Sequence, residues 1–182
     1  ALNFGSNAEC LYNPFNEWIQ STTQSFYVIN ELIVDGDVLN DDDSLYVIGA
    51  FCGENEVQVG SAQWDGAGTT IVVMGPDGVT EGTENYCFEG LESPVFIPAD
   101  VPIFKVFNAV TGEMLDSQFN DCYDSEGEES DCTWANFGYN EIDALFAGEI
   151  EEIVGCIDDE AINFNPEANT DDDSCMYDPF EW

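Results

Sequence analysis

Phe26-Tyr27-Val28-Ile29-Asn30-Glu31-Leu32-Ile33-Val34, closed by Asp35-Gly36-Asp37, is the stretch on which the fold class turns. Aromatic and β-branched residues dominate it, and a turn dipeptide ends it, so it reads as a strand. A helix would need apolar residues three and four apart. No convincing run of that period occurs in the chain.

Downstream, Asn40 and the acids through Asp43 form a loop, and residues 45–52 are an apolar run that reads as buried on both faces. Residues 57–64 alternate cleanly, and residues 69–74 end at Gly75-Pro76-Asp77-Gly78. Residues 84–88 and 94–97 are short strand candidates. Residues 102–108 are a stronger one, since a leading proline suits the first position of a strand. Thr111-Gly112 turns into 114–119, and residues 134–150 hold one or two further strands. Short strands at regular spacing with Gly, Pro and Asp turns predict an all-β chain. The expectation is an Ig-like or jelly-roll-like β-sandwich over residues 25–150. It is preceded by an aromatic, Asn-rich segment over 1–24, with a turn at Asn13-Pro14, and followed by a small loop-rich module over 151–182.

The 182 residues include 39 acids, one lysine, no arginine and no histidine, for a net charge of −38. Such a chain repels itself unless divalent cations or salt offset the charge. Phosphate recognition needs Lys and Arg, so nucleic acid is excluded as a partner. An anionic membrane surface is excluded on the same ground. No apolar run is long enough to span a bilayer, so membrane insertion is not expected. With 44% hydrophobic and 13% aromatic residues the chain can nonetheless bury a core. Its start at Ala1 fits a processed chain.

Seven cysteines in so acidic a chain point to disulfides and to a secreted, extracellular or cell-surface setting. No Cys-x-x-Cys spacing suggests zinc. Bracketing pairs Cys156 with Cys175 and Cys122 with Cys132, and leaves Cys52 and Cys87 as a cross-sheet bridge. Sequence does not fix connectivity. Cys10 is the odd residue, a free buried thiol or a bond to a neighbouring subunit.

The two ends of the chain echo each other. Cys10-Leu11-Tyr12-Asn13-Pro14-Phe15-Asn16-Glu17-Trp18 recurs as Cys175-Met176-Tyr177-Asp178-Pro179-Phe180-Glu181-Trp182, one residue shorter before the tryptophan. Further upstream, Ala161-Ile162-Asn163-Phe164 echoes Ala1-Leu2-Asn3-Phe4. This is an internal repeat, of the kind found in tandem arrays or in chains whose ends occupy related environments. Between Cys156 and Cys175 lies an Asn/Asp-rich loop with no hydrophobic period, which needs a clip or a metal to order it. Asn163, Asn165, Asp171, Asp172 and Asp173 offer hard oxygen ligands for Ca²⁺, as do Asp41 and Asp43 in the earlier acidic loop. Neither run has the EF-hand spacing, and a solvated acidic surface is the plainer reading of both.

Asp43-Ser44-Leu45-Tyr46-Val47-Ile48-Gly49-Ala50-Phe51-Cys52, Val59-Gly60-Ser61-Ala62-Gln63-Trp64, Met74-Gly75-Pro76-Asp77-Gly78 and the run from Phe104 through Asn108 to Glu113 resemble a β-sandwich domain. That domain occurs in large secreted surface proteins of marine bacteria, Bacteroidota and their relatives. The run from Gly155-Cys156 to Ser174-Cys175 is similar to a short repeat of the same proteins. The resemblance spans residues 25–177 and speaks to architecture; those modules mostly lack an assigned activity. The repeat usually has Gly before Ser-Cys, where this chain carries Asp173, and the extra acid favours calcium.

Catalysis has little to stand on. Without histidine there is no Ser-His-Asp or Cys-His arrangement, and no Gly-rich phosphate loop is present, so the chain is not expected to be an enzyme. Lys105, alone in an apolar strand, is either a lysine paired with one of many acids or half of an intramolecular amide cross-link. Trp18, Trp64, Trp134 and Trp182 are core or interface residues, or a sugar-stacking surface. The expected function is structural: a subunit of an extracellular filament or surface layer, with bound calcium. Copies join head to tail through Cys10, Tyr12, Phe15 and Trp18 at one end and Tyr177, Phe180 and Trp182 at the other. The alternative is a calcium-dependent module for binding carbohydrate or for cell-surface adhesion.

Overall fold

Eleven residues, Gln24–Val34, form the longest strand, β1. It is paired along both flanks in the computed structural model, which describes residues 12–40, 45–53, 55–90, 99–148, 154–158, 161–165, 170–172 and 174–177. The chain divides into two compact units, residues 1–148 and 149–182. Among the described residues there is no helix, and none is therefore long and apolar enough to cross a membrane.

The other strands of the first unit are β2 (Asp37–Val38), β3 (Tyr46–Cys52), β4 (Val57–Gln63), β5 (Thr69–Met74), β6 (Ile103–Asn108), β7 (Glu113–Phe119), β8 (Cys122–Tyr123) and β9 (Tyr139–Ala147). One flank of β1 pairs antiparallel with β5 and then with β2, while β9 runs parallel along the other. The buried phase of β1 passes from Ser25, Tyr27 and Ile29 to Leu32 and Val34 where its partner changes from β5 to β2. β7 joins the two halves of the sheet: Glu113 to Asp116 pair with β6, and Ser117 to Phe119 pair with β9. From β6 the sheet continues through β3 to β4. There it meets its own beginning, because a side chain on Gly60 of β4 would collide with the Val72 carbonyl of β5. The result is an all-β, mixed and curled sheet of the β-sandwich kind expected.

The enclosed core takes Tyr27, Ile29 and Leu32 from β1, Ile48 and Ala50 from β3, Phe104 and Val106 from β6, and Ile142 and Leu145 from β9. Trp64 and Trp134 join it. Each large side chain so buried stabilises the fold by about 1.5–3 kcal/mol. Disulfides Cys52–Cys87 and Cys122–Cys132 staple the unit, with Cα atoms 5.1 and 5.7 Å apart.

Two local expectations change. Residues 84–88 are not a strand. Thr83 closes a turn onto the Tyr86 amide, Cys87 is held by Cys52, and the Phe88 amide donates to Asp100. These local bonds replace a ladder. The described part of residues 1–24 is likewise no separate segment but part of the first unit, as set out below. The other short candidate, 94–97, lies outside the described residues.

In the second unit, β10 (Val154–Gly155) and β11 (Thr170–Asp171) form a short parallel pair beside the Cys156–Cys175 disulfide.

Candidate functional site

β3 is buried on both faces because something covers its outer side, and that cover is the N-terminal strap. Val47, Gly49 and Phe51 alternate with core-facing Ile48, Ala50 and Cys52, so they share the outer face. Across the ladder Gly49 stands opposite Ser61 of β4 and Lys105 of β6, and Lys105 stands opposite Asp116 of β7. Ser61, Gly49, Lys105 and Asp116 thus form one row across four strands. Gly49 is the gap in that row.

Phe15 fills the gap. It is 3% exposed and forms a small second core with Val47, Phe107 and Ala109, edged by Leu45 and Phe51. Its ring meets Phe51 edge to face at 5.7 Å. A Cβ on Gly49 would lie 2.7 Å from two of its ring carbons, so the seat requires glycine. The strap is shaped by Asn13, whose Oδ1 accepts the Phe15 amide at 2.8 Å across Pro14. This Asx turn presents the ring.

Beside Phe15 the strap bonds to the sheet through its backbone. Ser61 Oγ donates to the Phe15 carbonyl at 2.9 Å, and the Glu17 amide donates to Gln58 Oε1 at 3.4 Å. Gln58 Nε2 is buried and has no hydrogen-bond partner among the described residues. Farther along, the Ile19 amide donates to the Tyr86 hydroxyl at 2.6 Å and Ser21 Oγ to the Gly75 carbonyl at 2.7 Å. Asp77 then anchors the strap's end. It accepts the Thr22 amide and hydroxyl, the Val79 amide, and the Thr80 amide and hydroxyl. The Thr22 amide first, then Thr80 and Val79, hold its carboxyl far below the usual carboxylate range.

Lys105 borders the seat. Its Nζ lies 2.7 Å from Glu56, 3.3 Å from Asp116 and 5.8 Å from the centre of the Phe51 ring. The Glu56 bond raises its pKa, and burial opposes that rise. Its neighbours are therefore ionic partners, the arrangement of a paired surface lysine.

Of the other assembly residues, Tyr12 is 69% exposed and Trp18 packs against the main core. Cys10, Phe180 and Trp182 lie outside the described residues. Tyr177 is exposed, and its hydroxyl donates to Asp158.

Of the calcium candidates, Asp41, Asp43 and Asp173 lie outside the described residues. Asn163 uses both ends of its amide to tie the module's loop: Nδ2 donates to the Ser174 carbonyl at 2.9 Å, and Oδ1 accepts the Met176 amide at 2.7 Å. The Asn165 amide donates to the Cys156 carbonyl at 2.9 Å, and Asp172 Oδ1 accepts the Ser174 amide at 2.9 Å. Bonding to Ser174 lowers the pKa of Asp172. Asp171 pairs through its backbone with Gly155. Among the described residues no three acids or cysteines gather at metal-binding distance. The Cys156–Cys175 clip and the Asn163 bridge tie the described parts of the loop together.

Sequence reasoning put Phe15 in an assembly segment but missed its seat. The available signal was Gly49, a glycine inside a β-branched run, which marks a close approach by another group. No known protein family, curated protein or solved structure matches the chain.

Proposed function

We propose that the chain is a non-catalytic structural subunit, secreted and assembled head to tail into an extracellular filament or surface layer. The observation that carries this reading is the fate of the repeated motif. Its first copy is a docking element, a short turn that buries one phenylalanine on a sheet face, and a second copy of the same motif stands at residues 175–182. A contact of the second motif of one chain with the sheet face of another does not close on itself, so it propagates. The three disulfides suit an oxidising compartment.

Calcium enters as a screen for the −38 charge that opposes assembly, and the acidic loops at 41–43 and 171–173 are where it would concentrate. A glycan-stacking surface draws less support, since Trp64 and Trp134 are core residues.

The test is electron microscopy of the purified chain in millimolar calcium, with and without chelator. Filaments that dissolve on chelation support both parts of the proposal. Filaments indifferent to chelation keep the polymer and remove calcium. Dispersed particles in both conditions sink self-assembly.

A further inference from the structure

The geometry points to an exchange. The Gly49 seat is the receptor for the C-terminal motif Tyr177-Asp178-Pro179-Phe180 of a second copy of this chain, which enters by displacing Phe15. The inference rests on the assembly reading above and names the surface that reading left open.

The argument lies in what the seat asks of its occupant. It asks for a phenyl ring, because Gly49, Val47, Phe107, Ala109 and Phe51 enclose one. It asks for an acceptor two residues before that ring, because the Asx turn sets the approach. Everything else it asks of the backbone: Ser61 takes a carbonyl and Gln58 takes an amide. The C-terminal copy meets each requirement. Phe180 supplies the ring, and Asp178 supplies a carboxylate oxygen where Asn13 has its amide oxygen. Pro179 repeats Pro14, and backbone bonds do not depend on sequence. The residue most visibly free of the seat, Tyr12 at 69% exposure, is one the seat does not read.

One difference favours the second copy. The resident strap leaves the buried Nε2 of Gln58 without a partner among the described residues. The C-terminal motif carries an acid, Glu181, directly after its phenylalanine, where the strap has Asn16. A carboxylate is an acceptor suited to an orphaned amide donor.

The resident strap is covalently attached, so it competes at an effective concentration on the order of millimolar. The chain is therefore self-capped when dilute and opens to exchange when concentrated. This is the logic of segment swapping between identical copies.

The test uses the full chain and a synthetic peptide, Met176–Trp182. Phe15→Ala vacates the seat and Phe180→Ala removes the chain's own competitor. The double variant should bind the peptide at least tenfold more tightly than wild type, and a peptide carrying Phe180→Ala should bind neither. Should the double variant fail to fold, a second arm needs no variant: excess native peptide should suppress wild-type assembly, and the alanine peptide should not. Equal binding to wild type and variant, or equal action of the two peptides, overturns the exchange. Filaments that persist in the Phe180→Ala chain also overturn it while leaving the polymer intact. If wild type forms no filament, the assembly reading fails, and the peptide titration still decides the seat.

Discussion

Gly49 lies directly beneath the ring of Phe15, so close that an added Cβ would stand 2.7 Å from two ring carbons. A strand residue with no side chain thus receives a side chain from a segment thirty-four positions earlier, and the sheet's outer face becomes a second core.

Gly49→Ala should destabilise the first unit by about 1–3 kcal/mol, because the ring must leave its seat or push the strand. Phe15→Ala should cost about 3–5 kcal/mol by emptying the seat. The two effects should not add: with Phe15 already removed, Gly49→Ala should be close to neutral. Urea midpoints of the four chains complete the cycle. Additive losses would show that the glycine matters for another reason.

Asp77 predicts a pH dependence. Its carboxyl is held below the usual range by the Thr22, Thr80 and Val79 donors. A depressed folded pKa contributes stability that is present above the unfolded value, near 3.9, and is lost as pH falls toward the folded one. Asp77→Asn should therefore melt below wild type at neutral pH, and the gap in Tm should narrow steadily below about pH 4. A gap that is constant down to pH 2 would remove the carboxylate from the account.

Lys105 should be a free amine. With Glu56 at 2.7 Å and Asp116 at 3.3 Å it is an ion-paired residue, and Lys105→Met should shift stability by no more than about 1 kcal/mol. The intact mass should equal that of the sequence with its three disulfides, and an acetylating reagent should label the side chain. A mass short by one ammonia or one water would show an amide cross-link instead.

Cys156–Cys175 closes the second unit, nineteen residues apart in sequence. Replacing both by serine should remove about 3 kcal/mol from that unit. Amide exchange within 154–177 should then accelerate, while the first unit keeps its melting temperature. A common loss in both would show that they unfold together.

Much of the sheet was readable because its signals are local. The apolar run at 45–52 reads as doubly buried, and β3 is; the alternation at 57–64 reads as a half-buried strand, and β4 is one. What covers β3 was not readable, since nothing near Phe15 in sequence says which strand it will meet. The parallel pairing of β1 with β9 joins residues more than a hundred positions apart, and no local pattern encodes it. The strand expected at 84–88 failed for the reverse reason: its residues suit a strand, but a disulfide and turn bonds commit them elsewhere. Asn163 and Asp172 read as calcium ligands from residue type alone; the backbone amides of Met176 and Ser174 that they accept lie thirteen and two positions away, and residue type does not reveal either bond.

The parallel pairing also decides how the domain bears a pull. β1 and β9 run side by side in the same direction, matched from Phe26 with Tyr139 to Val34 with Ala147. Tension between the start of β1 and the end of β9 draws the two strands in opposite directions along their length. Their hydrogen bonds are loaded together in shear, whereas a hairpin pulled at its open end would peel one bond at a time. A thread made of such units would resist stretching at the pair where its first and last strands meet.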